Sequence, residues 1–259
     1  MKEIKVWLRY TNNSFQQVLA SRTSMIFLMT GKIIRVLLFL GFLFFLFKGA
    51  GGLGGYTKNQ IIFFYLSFNL IDTLAQLFFR EVYRFRPLIV SGNFDFVLLK
   101  PVNPLIRVLL GGADVMDLMM LFLLTIAVLF FTLGNFSITP LNLLIFILLL
   151  FNGFLVAAAF HIFVLGIGII TTSVDHLIII YRDMTSMLRI PVDLYVEPIR
   201  FILTFLLPLG IMITFPSKAL LGILSANLII VSLVFGITSL FLSLKFWSFA
   251  LKKYSSASS

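Results

Sequence analysis

Long apolar runs separated by short polar stretches organise this chain. A hydrocarbon core about 30 Å thick needs roughly 20 apolar residues in helical conformation. Runs of that kind cover Ser24 to Phe47, Asn59 to Phe79, Val108 to Leu133, Leu141 to Ile170 and Leu220 to Phe246. Each predicts a membrane-spanning helix. Ahead of them, residues 1–23 mix Lys2, Lys5, Arg9 and Arg22 with Ile4, Trp7, Leu8, Phe15, Val18 and Leu19. Ile4, Leu8, Phe15 and Leu19 fall on one helical face, which predicts an amphipathic helix lying along the membrane surface. The charged part is too long for a signal peptide, and no small-x-small site follows the apolar run.

Residues 171–216 admit two readings. In the first, Ile199 to Phe215 is a span preceded by a polar cytoplasmic segment with Asp175, His176, Arg182, Asp183 and Arg189. In the second, that polar segment is itself a pore-lining span. Residues 191–216, broken by Pro191, Pro198, Pro208 and Pro216, then dip into the outer leaflet and return. Irregular backbone at that depth requires cover from protein or water. Either reading gives about six spans and an all-α polytopic membrane protein.

Composition agrees with lipid as the solvent. The 259 residues are 60% hydrophobic and 12% charged, whereas a soluble domain is about a quarter charged. The 31 phenylalanines read as filling for lipid-facing positions rather than as an aromatic cage. The net charge of +10 is dispersed between spans and forms no stripe with stacking aromatics, which argues against nucleic acid. Topology explains it better. Under the first reading only Lys48, Lys58 and Lys218 face away from the other basic residues; under the second, Arg189 and Arg200 join them. The positive-inside bias places both termini in the cytoplasm in either case. Lys32 and Arg35, in the inner half of the first span, are expected to snorkel to the headgroups. Residues 255–259, serine-rich, are expected to be a disordered tail.

Catalytic patterns are missing from the sequence. Cysteine is absent and only His161 and His176 are available for imidazole chemistry. Thr30-Gly31-Lys32-Ile33 lacks the first glycine and the hydroxyl residue of a phosphate loop. Neither a His-Glu-x-x-His pair nor a Gly-x-Ser-x-Gly elbow occurs,. The expectation is a chain that is not an enzyme and binds no cofactor. Polar residues inside spans are the remaining candidates, because each is costly there. Asn69, Asp72 and Gln76 lie at i, i+3 and i+7 on one face of the second span. They line either a polar pathway or a hydrogen-bonded seam between helices. Asp114 and Asp117 suit the amides of a helix N-terminus. His161, beside three alanines, reads as a packed interhelical residue or a pathway residue. Gly153/Ala157 and Ser232/Gly236 have the small-xxx-small spacing of close helix packing.

The stretch 84–107 differs from its surroundings. Leu88 to Ser91 can form a short helix ended by Gly92, and Pro101 and Pro104 forbid its continuation. Such an amphipathic element suits docking into a groove on a soluble partner; the plainer alternative is a loop packed on its own bundle. Its pattern, Gly92-x-Phe94-Asp95-x-x-Leu98-Leu99-x-Pro101-Val102-Asn103-Pro104-Leu105, resembles the signature of a bacterial branch of ABC-2 permeases, the membrane subunits of ATP-binding-cassette exporters. Pro191-x-x-x-Tyr195-x-x-Pro198, Leu207-Pro208 and Phe215-Pro216 resemble the same branch, with Ser217 where an alanine is expected.

That resemblance implies an ATPase-coupling segment at 84–107, carried by Phe85, Arg86, Leu88, Ile89, Ser91, Gly92, Phe94, Asp95, Leu98, Leu99, Pro101, Asn103 and Pro104. It implies an elbow helix over 1–23, a re-entrant segment over 191–216 and a location in the bacterial cytoplasmic membrane. It also implies two permease copies, identical or paralogous, paired with two ATPase subunits that hold ATP and magnesium. Pathway candidates are Asn69, Asp72, Gln76 and His161. The alternatives are a lipid- or glycan-processing membrane enzyme, which requires carboxylates or histidines gathered at one depth, and an ion-gradient carrier, which requires broken helices in both halves.

Overall fold

A computed structural model describes residues 2–49, 52–171 and 174–255 of the chain. The chain folds as an almost wholly helical bundle. Helix α1 (Lys2–Ala20) is followed, after Ser21, by α2 (Arg22–Leu46). A two-residue ladder, β1 (Gly52–Leu53) with β2 (Tyr56–Thr57), turns the chain through Gly54 and Gly55, both at positive φ. The two left-handed positions make this stretch a tight hairpin. Helix α3 (Lys58–Phe79) starts at a capping box, in which Thr57 accepts from the Gln60 amide and Gln60 accepts from the Thr57 amide,.

A short 3-10 turn, Arg80–Arg84, leads to α4 (Phe85–Val90), α5 (Phe94–Leu98) and α6 (Pro104–Leu110). The apolar run expected to begin a span at Val108 is broken here. Gly111 takes φ 48°, and the next helix, α7 (Val115–Asn135), starts only where Asp114 caps it, accepting from the Met116 amide at 2.8 Å. Helix α8 (Pro140–Thr171) and α9 (Asp175–Met187) follow. The region after Pro191 is irregular: α10 (Ile199–Phe201), two π-helical turns (Ile202–Leu206 and Gly210–Thr214) and α11 (Phe215–Leu220). Helix α12 (Ala226–Lys253) ends the bundle. It begins six residues later than the hydropathy implied, because Gly222 at φ 70° makes a turn that α12 cannot include.

Helices α2, α3 with its continuation to Val90, α7, α8 and α12 are long and apolar enough to cross a membrane. The pair Ile199–Leu206 and Gly210–Leu220, bent by 75°, makes a sixth if counted as one span. The chain is an all-α polytopic membrane protein. Helix α3 is its centre, with an unbroken buried run from Ile61 to Ile71. Helix α2 contrasts with it. Only Met29, Val36 and Leu43, spaced by seven, are buried on it, so a single narrow seam holds α2 to the rest.

Helices α8 and α12 form the most extensive interface. The small residues named from sequence are the reason. An added Cβ on Gly236 would fall 2.0 Å from Asn152 Oδ1, and Asn152 donates to the Ser232 carbonyl oxygen at 2.9 Å. Gly153 lets α8 approach the irregular region, since a Cβ there would meet the Met212 carbonyl oxygen at 2.6 Å. Leu209 to Leu220 is almost wholly buried against α8 and α3, as irregular backbone in an apolar medium must be.

The two ends of the bundle are distinct. At one, Glu3 accepts from the Asn103 amide (3.0 Å), Thr11 accepts from the Ala113 amide (3.2 Å) and Tyr254 donates to Asp95 (2.8 Å). The N-terminal helix, residues 84–107 and the end of α12 therefore share one end. At the other, Tyr56 donates to Asp193 (2.7 Å), Lys218 pairs with Asp193 (3.1 Å) and Asn59 donates to Asn135 (2.8 Å). Burial and the bond to Asp193 push the Tyr56 hydroxyl pKa above its ordinary value, so this tie persists through any physiological pH. Helix α9 runs between the ends, with Arg86 paired to Asp175 (3.1 Å) at its start and Asp193 just beyond its finish.

Candidate functional site

Two places gather the sequence-predicted residues. The first is the 80–110 segment. Helix α4 begins at Phe85, three residues before the expected Leu88, and stops where Gly92 takes φ 72°. Ser91 donates to the Pro87 carbonyl oxygen at 2.7 Å and accepts from Asn93 at 2.8 Å, which closes the turn. One face of α4 and α5 is locked into the bundle. Phe85, Ile89, Phe94 and Val97 are buried, and Phe94 meets Phe85 and Tyr254 edge-on at 5.3 and 5.2 Å, with Trp247 of α12 beside both. Leu88 packs half-buried on that core. The opposite face is apolar and bare: Val90, Phe96 (63% exposed), Leu98 and Leu99 (80% exposed).

The ends of the segment are fastened separately. Arg86 reaches α9 through Asp175, and Asp95 accepts from Tyr254. Pro101 is exposed. Asn103 caps α6 by accepting from the Leu105 and Ile106 amides, with Pro104 at the first helical position,. Glu81, beneath the segment, receives Arg107 at 2.9 Å and Arg84 at 3.6 Å. The Arg107 guanidinium in turn lies 4.2 Å from the Tyr10 ring of α1.

The second place is a cavity of about 530 Å³ between α2, α3 and α9. Asn69 and Asp72 line it together with Arg35, Arg182 and Arg189. A smaller hollow of about 90 Å³ continues toward the end that holds the termini, shares Arg35, Asn69, Asp72 and Arg182, and adds Gln76. Gln76 donates to the Tyr83 hydroxyl at 2.9 Å, and Asn69 donates to the Tyr65 carbonyl oxygen at 2.7 Å. The predicted stripe is therefore one wall of a polar space. Beside the hollow stands an ion-pair network: Lys32 with Asp117, and Arg80 with Asp114 and with Asp117 (3.2 Å). Lys32 thus pairs with Asp117 of α7, and Arg35 lines the cavity.

His161 lies outside both spaces. It donates Nδ1–H to the Ala157 carbonyl oxygen at 2.8 Å and is enclosed by Phe79, Tyr83, Phe160 and Tyr181. Several residues central to these sites were not among the candidates named from sequence: Glu81, Trp247 and Tyr254 at the segment, Arg182 and Arg189 in the cavity. The signal available for Arg182 and Arg189 was their place in the polar segment that one of the two readings makes a pore-lining span.

Helix α1 touches the bundle through a face other than its apolar one. Trp7 stacks on Phe78 at 6.1 Å and Tyr10 lies under Arg107, whereas Ile4, Leu8 and Leu19 point outward. Of the tail expected at 255–259, residues 256–259 lie outside the described residues.

No curated protein sequence matches this chain. A sequence model of the ABC-2 family transporter proteins matches residues 33–258, which takes in α2 from Ile33 onward, the hairpin, every later helix, the 84–107 segment and nearly all of the lining of both cavities. Five to six spans, a broken pair before the last helix and a family match over most of the length agree: the chain belongs to the ABC-2 transporter family and is the multi-pass, membrane-embedded component of a transport system.

Proposed function

We propose that this chain forms the translocation pathway of an exporter and is driven through residues 84–107 by a separate ATP-binding-cassette subunit. The observation that carries this reading is the two-sided build of α4 and α5. Their buried face is keyed to α8 and α12 through Phe85, Phe94 and Trp247, while Phe96 and Leu99 stand exposed at the end where a soluble partner has access. A contact made there is passed to α12 through the packing of Phe94 on Trp247 and Tyr254. ATP and magnesium belong to the partner.

The remaining parts follow the same reading. The basic bias puts the end with both termini in the cytoplasm of a bacterial inner membrane. Helix α9 is a short polar span, supported by its ties to Arg86 at one end and its approach to Asp193 at the other. Residues 191–216 are then re-entrant, and the chain acts with a second permease copy.

The test is ATP turnover of the purified complex. Leu99→Glu and Phe96→Glu place charge on the exposed face without touching the core, and turnover stimulated by the permease falls at least tenfold in both. Asp95→Ala, which removes the Tyr254 hydrogen bond on the core side, lowers coupling less. Full stimulation in both glutamate variants removes the segment from the coupling role. Topology is tested independently: because the sequence contains no cysteine, single Ser255→Cys and Leu53→Cys variants are expected to label from opposite sides of the membrane.

A further inference from the structure

Most cations inside this bundle are compensated. Lys32 and Arg80 have Asp117 and Asp114, Arg107 has Glu81, and Arg86 has Asp175. The cavity between α2, α3 and α9 breaks that pattern. Among the described residues, no carboxylate pairs with Arg35, Arg182 or Arg189, and all three line the cavity with Asp72 as its one acidic residue. Arg182 stands on α9 and Arg189 in the turn just past its end, with Arg35 across from them on α2. Arginine in a span is costly enough that a structural role normally comes with a partner. Three guanidiniums against one carboxylate leave a space of net positive charge.

The rest of the lining is apolar. Leu38, Phe39, Phe42 and Phe68 face the same space, and the Arg189 guanidinium lies 5.5 Å from the Phe39 ring. A volume of about 530 Å³ falls within the range of small-molecule sites. Guanidinium forks match carboxylate, sulfate and phosphate oxygens, and the aromatic wall matches a hydrocarbon or ring.

We infer that this cavity binds an amphipathic anion, its head on Arg35, Arg182 and Arg189 and its apolar body against Phe39 and Phe42. The inference deepens the pathway reading and rests on it. A cation would meet net positive charge, and a neutral amphiphile would leave the arginines without partners. The ion pairs of Lys32 and Arg80 bound the narrower hollow beyond, so the anion is held on the wider side of that network.

Calorimetric titration of the purified full chain in a neutral maltoside detergent tests this without ATP or partner. Dodecyl phosphate is expected to bind at least tenfold more tightly than dodecyltrimethylammonium. Arg182→Gln with Arg189→Gln lowers dodecyl phosphate affinity at least tenfold, Arg189→Lys lowers it less, and Lys245→Gln, remote from the cavity, leaves it unchanged. If the double variant does not elute as a folded species, Arg189→Gln alone is titrated and a threefold loss is expected. Equal affinity for the two probes, or unchanged affinity in a folded glutamine variant, overturns the inference. Repeating the titration in nanodiscs distinguishes the source. Loss of binding when phosphatidylglycerol replaces phosphatidylcholine identifies a bilayer headgroup as the anion, and persistence identifies a free amphiphile. Intact binding alongside failed ATPase coupling would sink the coupling segment alone; intact coupling alongside absent binding would sink only the anion site.

Discussion

Asp117→Asn is the sharpest probe of how this bundle is held together. Asp117 is 6% exposed at its side chain and accepts from both Lys32 and Arg80. Asparagine keeps the volume and removes the charge, leaving Lys32 with no carboxylate. Breaking a fully buried pair costs about 3–5 kcal/mol, and breaking an exposed one about 0.2–1 kcal/mol. The present case lies between, because the side chains of Lys32 and Arg80 are 25% and 37% exposed and Arg80 keeps Asp114. A loss of about 2 kcal/mol is expected. At about 2–4 °C per kcal/mol for a chain of this size, the melting temperature in detergent falls by roughly 4–8 °C, read by size-exclusion after thermal challenge. Lys32→Met costs less, since Asp117 retains Arg80. The double variant should be more stable than the sum of the singles by about 1 kcal/mol. A melting point for Asp117→Asn within about 1 °C of the parent, together with strict additivity, would refute a stabilising network at this depth.

Other positions separate backbone, packing and hydrogen-bond effects. Gly153→Ala drives a methyl into the Met212 carbonyl and should cost about 1–3 kcal/mol,, whereas Gly134→Ala, with nothing within 4 Å of its added Cβ, should be neutral or slightly stabilising; thermal challenge of the pair decides whether the irregular region packs on α8 as described. Gly92→Ala meets no neighbouring atom but must hold φ 72°, so its cost of about 1–2 kcal/mol comes from the backbone alone and should appear as weakened coupling together with a lower melting point. Tyr254→Phe removes a hydrogen bond to Asp95 and should lower stability by about 1 kcal/mol, with a smaller effect on ATP turnover than Leu99→Glu.

The parts of the site that were legible in the sequence are those whose cause is local. Gly92 was marked by the polar residues around it and the prolines beyond. Asn69, Asp72 and Gln76 repeat at helical spacing in an apolar run, so a shared polar face followed without coordinates. What shares the cavity with those residues was not legible. Arg182 and Arg189 lie more than a hundred residues along the chain from Asp72, in a segment too polar for hydropathy to count as a span. Tyr254 meets Asp95 across 159 positions. Lys32 and Arg35 looked alike in sequence, two basic residues one turn apart, yet one is paired and the other faces a cavity.

Sequence alone determined that the chain lives in lipid, where its long helices run, and that its basic residues divide unequally between the two sides. Those properties follow from transfer free energies that each segment carries by itself. Tertiary structure decided which polar groups are neutralised and which are left facing a space. That outcome depends on helix rotation and on close approaches such as Gly153 to Met212 and Gly236 to Asn152, set by packing between segments far apart in the chain. Charge pairing inside an apolar bundle is a property of such neighbours, and no single stretch of sequence contains it.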